Sequence, residues 1–162
     1  TQPVDLNSVV HSALSLLSNM VRKSTDRFSL DLEKNLPLVK GNFQRLEQVV
    51  INLVQNACQS LPDRKKEIRV STRWDEVNGN VVLQVQDEGV GIPPENLPRI
   101  TDPFFSTRHD SGGVGLGLAI SSRLIKEQGG TMYFASEPGI GTKAEVFLPV
   151  NRSLKPGKEV IQ

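Results

Sequence analysis

The sequence predicts an α/β domain of the α+β kind, a two-layer sandwich whose mixed, mostly antiparallel sheet is covered on one face by about three helices. Two patterns predict it. Apolar residues recur at helical spacing in three segments, and they alternate with polar residues in several short ones. The two kinds of segment intermingle along the chain, which suggests one sheet with the helices packed against it.

Leu6, Val9, Val10, Ala13, Leu14, Leu17, Met20 and Val21 form one apolar stripe, predicting a first helix from about Leu6 to Arg22 with Asp5 placed to cap it. Phe28 to Leu32 alternates as a half-buried strand, and Pro37 breaks the pattern before a short extended stretch at Leu38 to Lys40. Leu46, Val49, Val50, Leu53 and Ala57 mark a second helix from about Phe43 to Leu61, ended by Pro62-Asp63. Strands are expected at Glu67 to Trp74 and Val81 to Gln86, joined through Asn78-Gly79-Asn80. From Gly89 to Gly113 the composition is that of a long loop, with a short helix near Glu95 to Ile100. A third helix is expected from about Gly115 to Gln128, stopping at Gly129-Gly130. Strands at Thr131 to Ser136 and Lys143 to Pro149 then flank the turn at Pro138 to Gly141. Residues 1–150 read as the domain, and 151–162 as a polar, flexible tail.

With 162 residues the chain has the length of one domain with a sizeable core. A net charge of +1 supplies no bulk field for nucleic acid or an anionic membrane, so neither is expected as a partner. Cys58 is the only cysteine, which rules out a disulfide within the chain and fits a reducing, cytoplasmic setting. No apolar run approaches the roughly 20 residues that span a bilayer. Because the sequence starts at Thr1, it reads as a piece of a longer protein, whose other parts are free to be membrane-anchored.

Four clusters suggest chemistry. Gln48, Asn52 and Asn56 lie four residues apart, so their amides share one helix face. An amide oxygen can ligate Mg²⁺ and an amide nitrogen can donate to phosphate, although on the pattern alone a solvated polar face is the commoner source. Asp87 ends a strand just before Gly89 and Gly91, where a carboxylate can accept a hydrogen bond from the exocyclic amine of adenine, although a plain turn explains the unit equally well. Glu88 points the other way if strand geometry persists, and it is left out of the site. Gly113-Val114-Gly115-Leu116-Gly117 opens the third helix, where unpaired N–H groups and the helix dipole favour anions. It is neither a P-loop nor Gly-x-Gly-x-x-Gly, and a flexible hinge would use the same residues. Gly139-Ile140-Gly141-Thr142 is the last cluster, and Asp102 to Thr107 lies between the first and second glycine boxes.

Taken in this order, the segments resemble the ATP-binding domain of sensor histidine kinases, which is grouped with DNA gyrase, the large heat-shock chaperones and the mismatch-repair ATPases. The resemblance covers nearly all of the chain to about Val150 and implies a Bergerat-type ATP-binding fold. It implies ATP and Mg²⁺ as cofactors, with Asn56 as metal ligand and Asp87 gripping adenine. Gly89, Gly91, Ile92, Asn52, Thr107, Arg108, Gly113, Val114, Gly115, Leu116 and Thr142 then line the nucleotide. Arg108 stands where the family commonly has lysine, and Thr142 resembles a threonine beside the adenine edge. Phe104-Phe105 suggests one ring anchoring a mobile lid; both rings filling core is the alternative. His109 reads as a surface histidine.

The resemblance also implies what this chain lacks. Hydrolysing relatives carry a glutamate four residues before the metal-binding asparagine; here Asn52 stands there and cannot act as a base near neutral pH. The acceptor is expected to be a histidine, yet His11 lacks the acidic residue and proline that follow the phospho-accepting histidine. The expected function is therefore to donate the γ-phosphate of ATP to a histidine on a dimerisation and phospho-acceptor domain, with a response regulator receiver domain downstream. The domain alone is expected to be monomeric and its parent homodimeric. A protein serine kinase of the same fold, of the anti-sigma-factor type, and a nucleotide-regulated module without catalysis are the alternatives.

Overall fold

The computed structural model describes residues 2–100 and 114–150, and in the last helix side chains from Gly117 onward. It opens with a strand that the sequence pattern does not reveal, β1 (Gln2–Val4), paired antiparallel with β3 (Val39–Gly41). Three residues including a proline carry no alternation signal, and proline is tolerated on so short an edge.

The first helix departs from expectation. It is two helices, α1 (Leu6–Leu16) and α2 (Ser18–Ser24), meeting at Leu17, whose φ of −102° and ψ of 8° leave the helical range. The Leu17 N–H is shared between the Ala13 and Leu14 carbonyls. Leu17 and Val21 stay buried across the joint while Leu16 is 68% exposed, so the apolar period runs through it unbroken. Asp5 caps α1 by accepting the Asn7 N–H at 3.1 Å.

β2 (Arg27–Leu32) follows, then β3, α3 (Phe43–Ser60), β4 (Glu67–Asp75) and β5 (Asn80–Asp87). The Asn42 side chain accepts the Arg45 N–H at 3.0 Å and caps α3. Leu46, Val49, Val50, Leu53, Val54 and Ala57 on α3 are all buried. Burying each of the larger ones contributes roughly 1.5–3 kcal/mol, well beyond what intrinsic propensity gives. The short helix expected near Glu95 is a single 3₁₀ turn at Leu97–Arg99. Then come α4 (Val114–Glu127), β6 (Thr131–Glu137) and β7 (Gly141–Pro149). α4 ends as expected: Gly129 adopts φ +79°, its N–H bonds the Lys126 carbonyl, and the Gly130 N–H bonds that of Ile125.

The main sheet has the order β2-β4-β5-β7-β6. Among the described strands only β2 and β4 run parallel. The described residues hold four α-helices rather than three, all packed on the side of Ile68, Val70, Leu83, Val85, Val146 and Leu148. The opposite face carries Arg69, Arg73, Gln86 and Tyr133, all exposed. Register matters most at one end. Asp87 sits opposite Thr142, and Thr142 opposite Ser136, so three adjacent strands place these residues in one row.

Candidate functional site

That row is the better-defined end of the site. Asp87 is only 6% exposed, and its Oδ1 accepts the Gly89 N–H at 2.8 Å and the Thr142 N–H at 3.3 Å. The carboxylate is thus oriented by backbone donors on both sides. Thr142 is fixed in turn: its hydroxyl lies 2.8 Å from Ser136 Oγ, which accepts the Ile92 N–H at 2.7 Å. Ser136 therefore ties Ile92 and Thr142 into one cluster. Its sequence context, a serine in an alternating strand, offers no signal for that role.

Glycine is required here by close approach. A Cβ on Gly141 would run into the Asp87 carbonyl oxygen and lie 3.1 Å from Glu88 Cα. A Cβ on Gly91, whose φ is +78°, would sit 2.8 Å from Pro138 Cα. Glu88 faces away, as alternation predicts. It accepts the Glu67 N–H at 2.7 Å and lies 3.5 Å from the Arg27 guanidinium.

The floor of the site is α3. Asn52, Asn56 and Ser60 are four apart and share one face. At 1.5 Å per residue, Asn52 and Ser60 stand about 12 Å apart along the axis. Ser60 belongs to the Asp87 end: its carbonyl accepts the Val90 N–H at 3.0 Å, and a Cβ on Gly89 would collide with its side chain. Asn52 belongs to the other end, where its Nδ2 donates to the Gly117 carbonyl at 3.1 Å and to Ser121 Oγ at 2.9 Å. Gln48 completes that end by donating to Asn52 Oδ1 at 2.7 Å. Asn56 lies between, half-buried and with no side-chain hydrogen bond to another described residue. Nearby Cys58 is buried, and burial pushes its thiol above the ordinary value; Ser24 opposes this with a hydrogen bond while the Asp87 carboxylate adds to it.

α4 begins at Val114, so Gly115 and Leu116 lie in its first turn, where backbone N–H groups have no partner within the helix. Its far end is also held to α3: Gln128 Oε1 accepts the Asn42 N–H at 2.9 Å, and Arg45 pairs with Glu127 at 3.3 Å.

The structure thus brings Asp87, Gly89, Gly91, Ile92 and Thr142 together and lays Asn56 and Asn52 along α3 toward α4. Thr107, Arg108, Gly113, Phe104, Phe105 and His109 lie outside the described residues. The residues that sequence reasoning missed, Ser136, Ser60 and Ser121, all act by holding others. No group of three or more His, Cys, Asp or Glu that could hold a metal ion occurs among the described residues. Nor is any described helix long and apolar enough to cross a membrane.

Comparisons with known proteins point the same way. The model of the family described as histidine kinase-, DNA gyrase B-, and HSP90-like ATPase matches residues 41–152. The sensor histidine kinase ZraS of Escherichia coli K12 is 32% identical over 154 residues, covering 95% of this chain and 32% of its own length. The catalytic domain of the histidine kinase ThkA superposes with a TM-score of 0.79 at 27% identity, covering 92% of this chain and 97% of that one. Full-length ShkA in complex with AMPPNP gives 0.81 at 27% identity, over 95% of this chain and 32% of that one. The chain spans less than a third of the length of the curated relatives it matches.

Proposed function

Because the chain belongs to the histidine kinase-, DNA gyrase B-, and HSP90-like ATPase family, we propose that it is the ATP-binding catalytic domain of a two-component sensor histidine kinase. One observation carries the reading: a buried carboxylate, Asp87, oriented by two backbone N–H groups and edged by glycines, stands across about 12 Å of α3 from a helix N-terminus. Adenine would be held at the first and phosphates at the second.

In this reading the carboxylate of Asp87 accepts the adenine amine, a donor that guanine does not present at that ring position. Thr142, held by Ser136, borders the base, and Gly89, Gly91 and Gly141 let the neighbouring segments pack closely around Asp87. First-turn N–H groups of α4, at Val114, Gly115 and Leu116, face the phosphates, with Gly113, Thr107 and Arg108 as further proposed contacts.

Mg²⁺ fits this donor set. The half-buried Asn56 offers one neutral amide oxygen, and Mg²⁺ bound with substrate phosphates needs only one or two protein ligands besides waters. When bound it would neutralise phosphate charge. The protein's own contribution is to position and orient, the main requirement of phosphoryl transfer. Asn52 occupies the place of a hydrolytic base and supplies none, so ATP is kept for another acceptor.

That acceptor is a histidine on a dimerisation and phospho-acceptor domain of the same parent protein, a cytoplasmic homodimer in this part, with a response regulator receiver domain downstream. Radiolabelled ATP and Mg²⁺ should leave this chain unlabelled, including at the exposed His11, and should give acid-labile phosphate once the acceptor domain is added. Acid-stable phosphate on a serine would favour the serine kinase, and label on His11 would contradict the domain assignment.

A further inference from the structure

Ser121 is fully buried on α4, at 0% exposure, and lies one turn beyond Gly117. A side chain so enclosed does not touch a ligand. It does accept one of the two amide protons of Asn52, at 2.9 Å, while the Gly117 carbonyl accepts from the same nitrogen at 3.1 Å. The Asn52 oxygen is engaged by Gln48 Nε2 at 2.7 Å. Both amide protons are thus held along the seam between α3 and the first two turns of α4, and the oxygen already accepts one bond.

The geometry points to Ser121 and Asn52 as a pair of positioning residues: together they fix the start of α4 against α3 and its Asn56. Asn52 then serves nucleotide binding through α4. A buried hydroxyl with no view of the nucleotide helps set the affinity for its phosphates. Asp87, Thr142 and Ser136 are held by separate bonds at the other end of α3, so the adenine contribution is independent of this pair. The inference rests on the reading that the first turn of α4 faces the phosphates.

The test titrates adenosine, ADP and ATP, with Mg²⁺, into the parent chain, Ser121→Ala, Asn52→Ala and the double variant, with folding checked by circular dichroism. Losing the Ser121 hydrogen bond should weaken ADP and ATP about fivefold while adenosine affinity stays unchanged. The double variant should bind no more weakly than Asn52→Ala alone, because the second change removes a partner already gone. Unchanged ADP and ATP affinity in Ser121→Ala would overturn the inference and leave Asn52 as a direct contact. An equal loss for adenosine, or fully additive losses in the double variant, would also overturn it. Equal affinity of the parent for adenosine and ATP would overturn the reading of α4 itself, and this inference with it.

Discussion

Asp87 shows how much one residue's surroundings decide. Its place before two glycines is visible in the sequence; the second backbone donor, from Thr142, is not, because it arrives from a strand 55 residues away. Ser136 was illegible for the same reason: hydrogen bonds across strands leave no trace in local pattern. Cys58 offers a check on this neighbourhood that needs no nucleotide. Burial first, and then the Asp87 carboxylate, hold its thiol above the ordinary value, so the folded chain releases that proton later than the unfolded one. The resulting stability is complete below the unfolded thiol pKa, about 8.5, and is lost as pH rises through the higher folded value. Thiol-reagent kinetics against pH should place the Cys58 midpoint above that of a free thiol, and Asp87→Asn should move it downward. A midpoint at the free-thiol value, or no movement in the variant, would contradict this account of the site.

At the scale of elements, α3 does two jobs on two faces. Its apolar stripe was legible because burial and helical period coincide, and the amide row was legible for the same geometric reason. The joint at Leu17 was not, since the stripe continues through it on both helices. What the amides bind to was also hidden: Asn52 faces Gly117 and Ser121, a packing fact of α4 against α3. The start of α3 rests on the Asn42 cap. Asn42→Ala should lower unfolding free energy by about 1 kcal/mol, read as an earlier denaturation midpoint at unchanged slope. The Gln128 bond is expected to survive, because it uses the backbone N–H of Asn42. A loss near zero would mean that α3 is held by its packing alone.

For the molecule as a whole, a sheet open on one face and helix-covered on the other leaves the strand ends of β5 and β7 and the start of α4 at the two ends of one helix. This arrangement was legible in outline from the glycine boxes and the element order, while the fourth helix and the β1–β3 pair were not. Whether adenine is recognised by Asp87 can be read from one calorimetric comparison. Asparagine keeps the oxygen that accepts the Gly89 and Thr142 N–H groups, yet replaces the other oxygen with a donor that opposes the adenine amine. The parent should bind ADP in clear preference to GDP, and Asp87→Asn should remain folded while losing ADP affinity by about tenfold or more. ADP affinity unchanged in Asp87→Asn, or GDP bound by the parent as tightly as ADP, would contradict it.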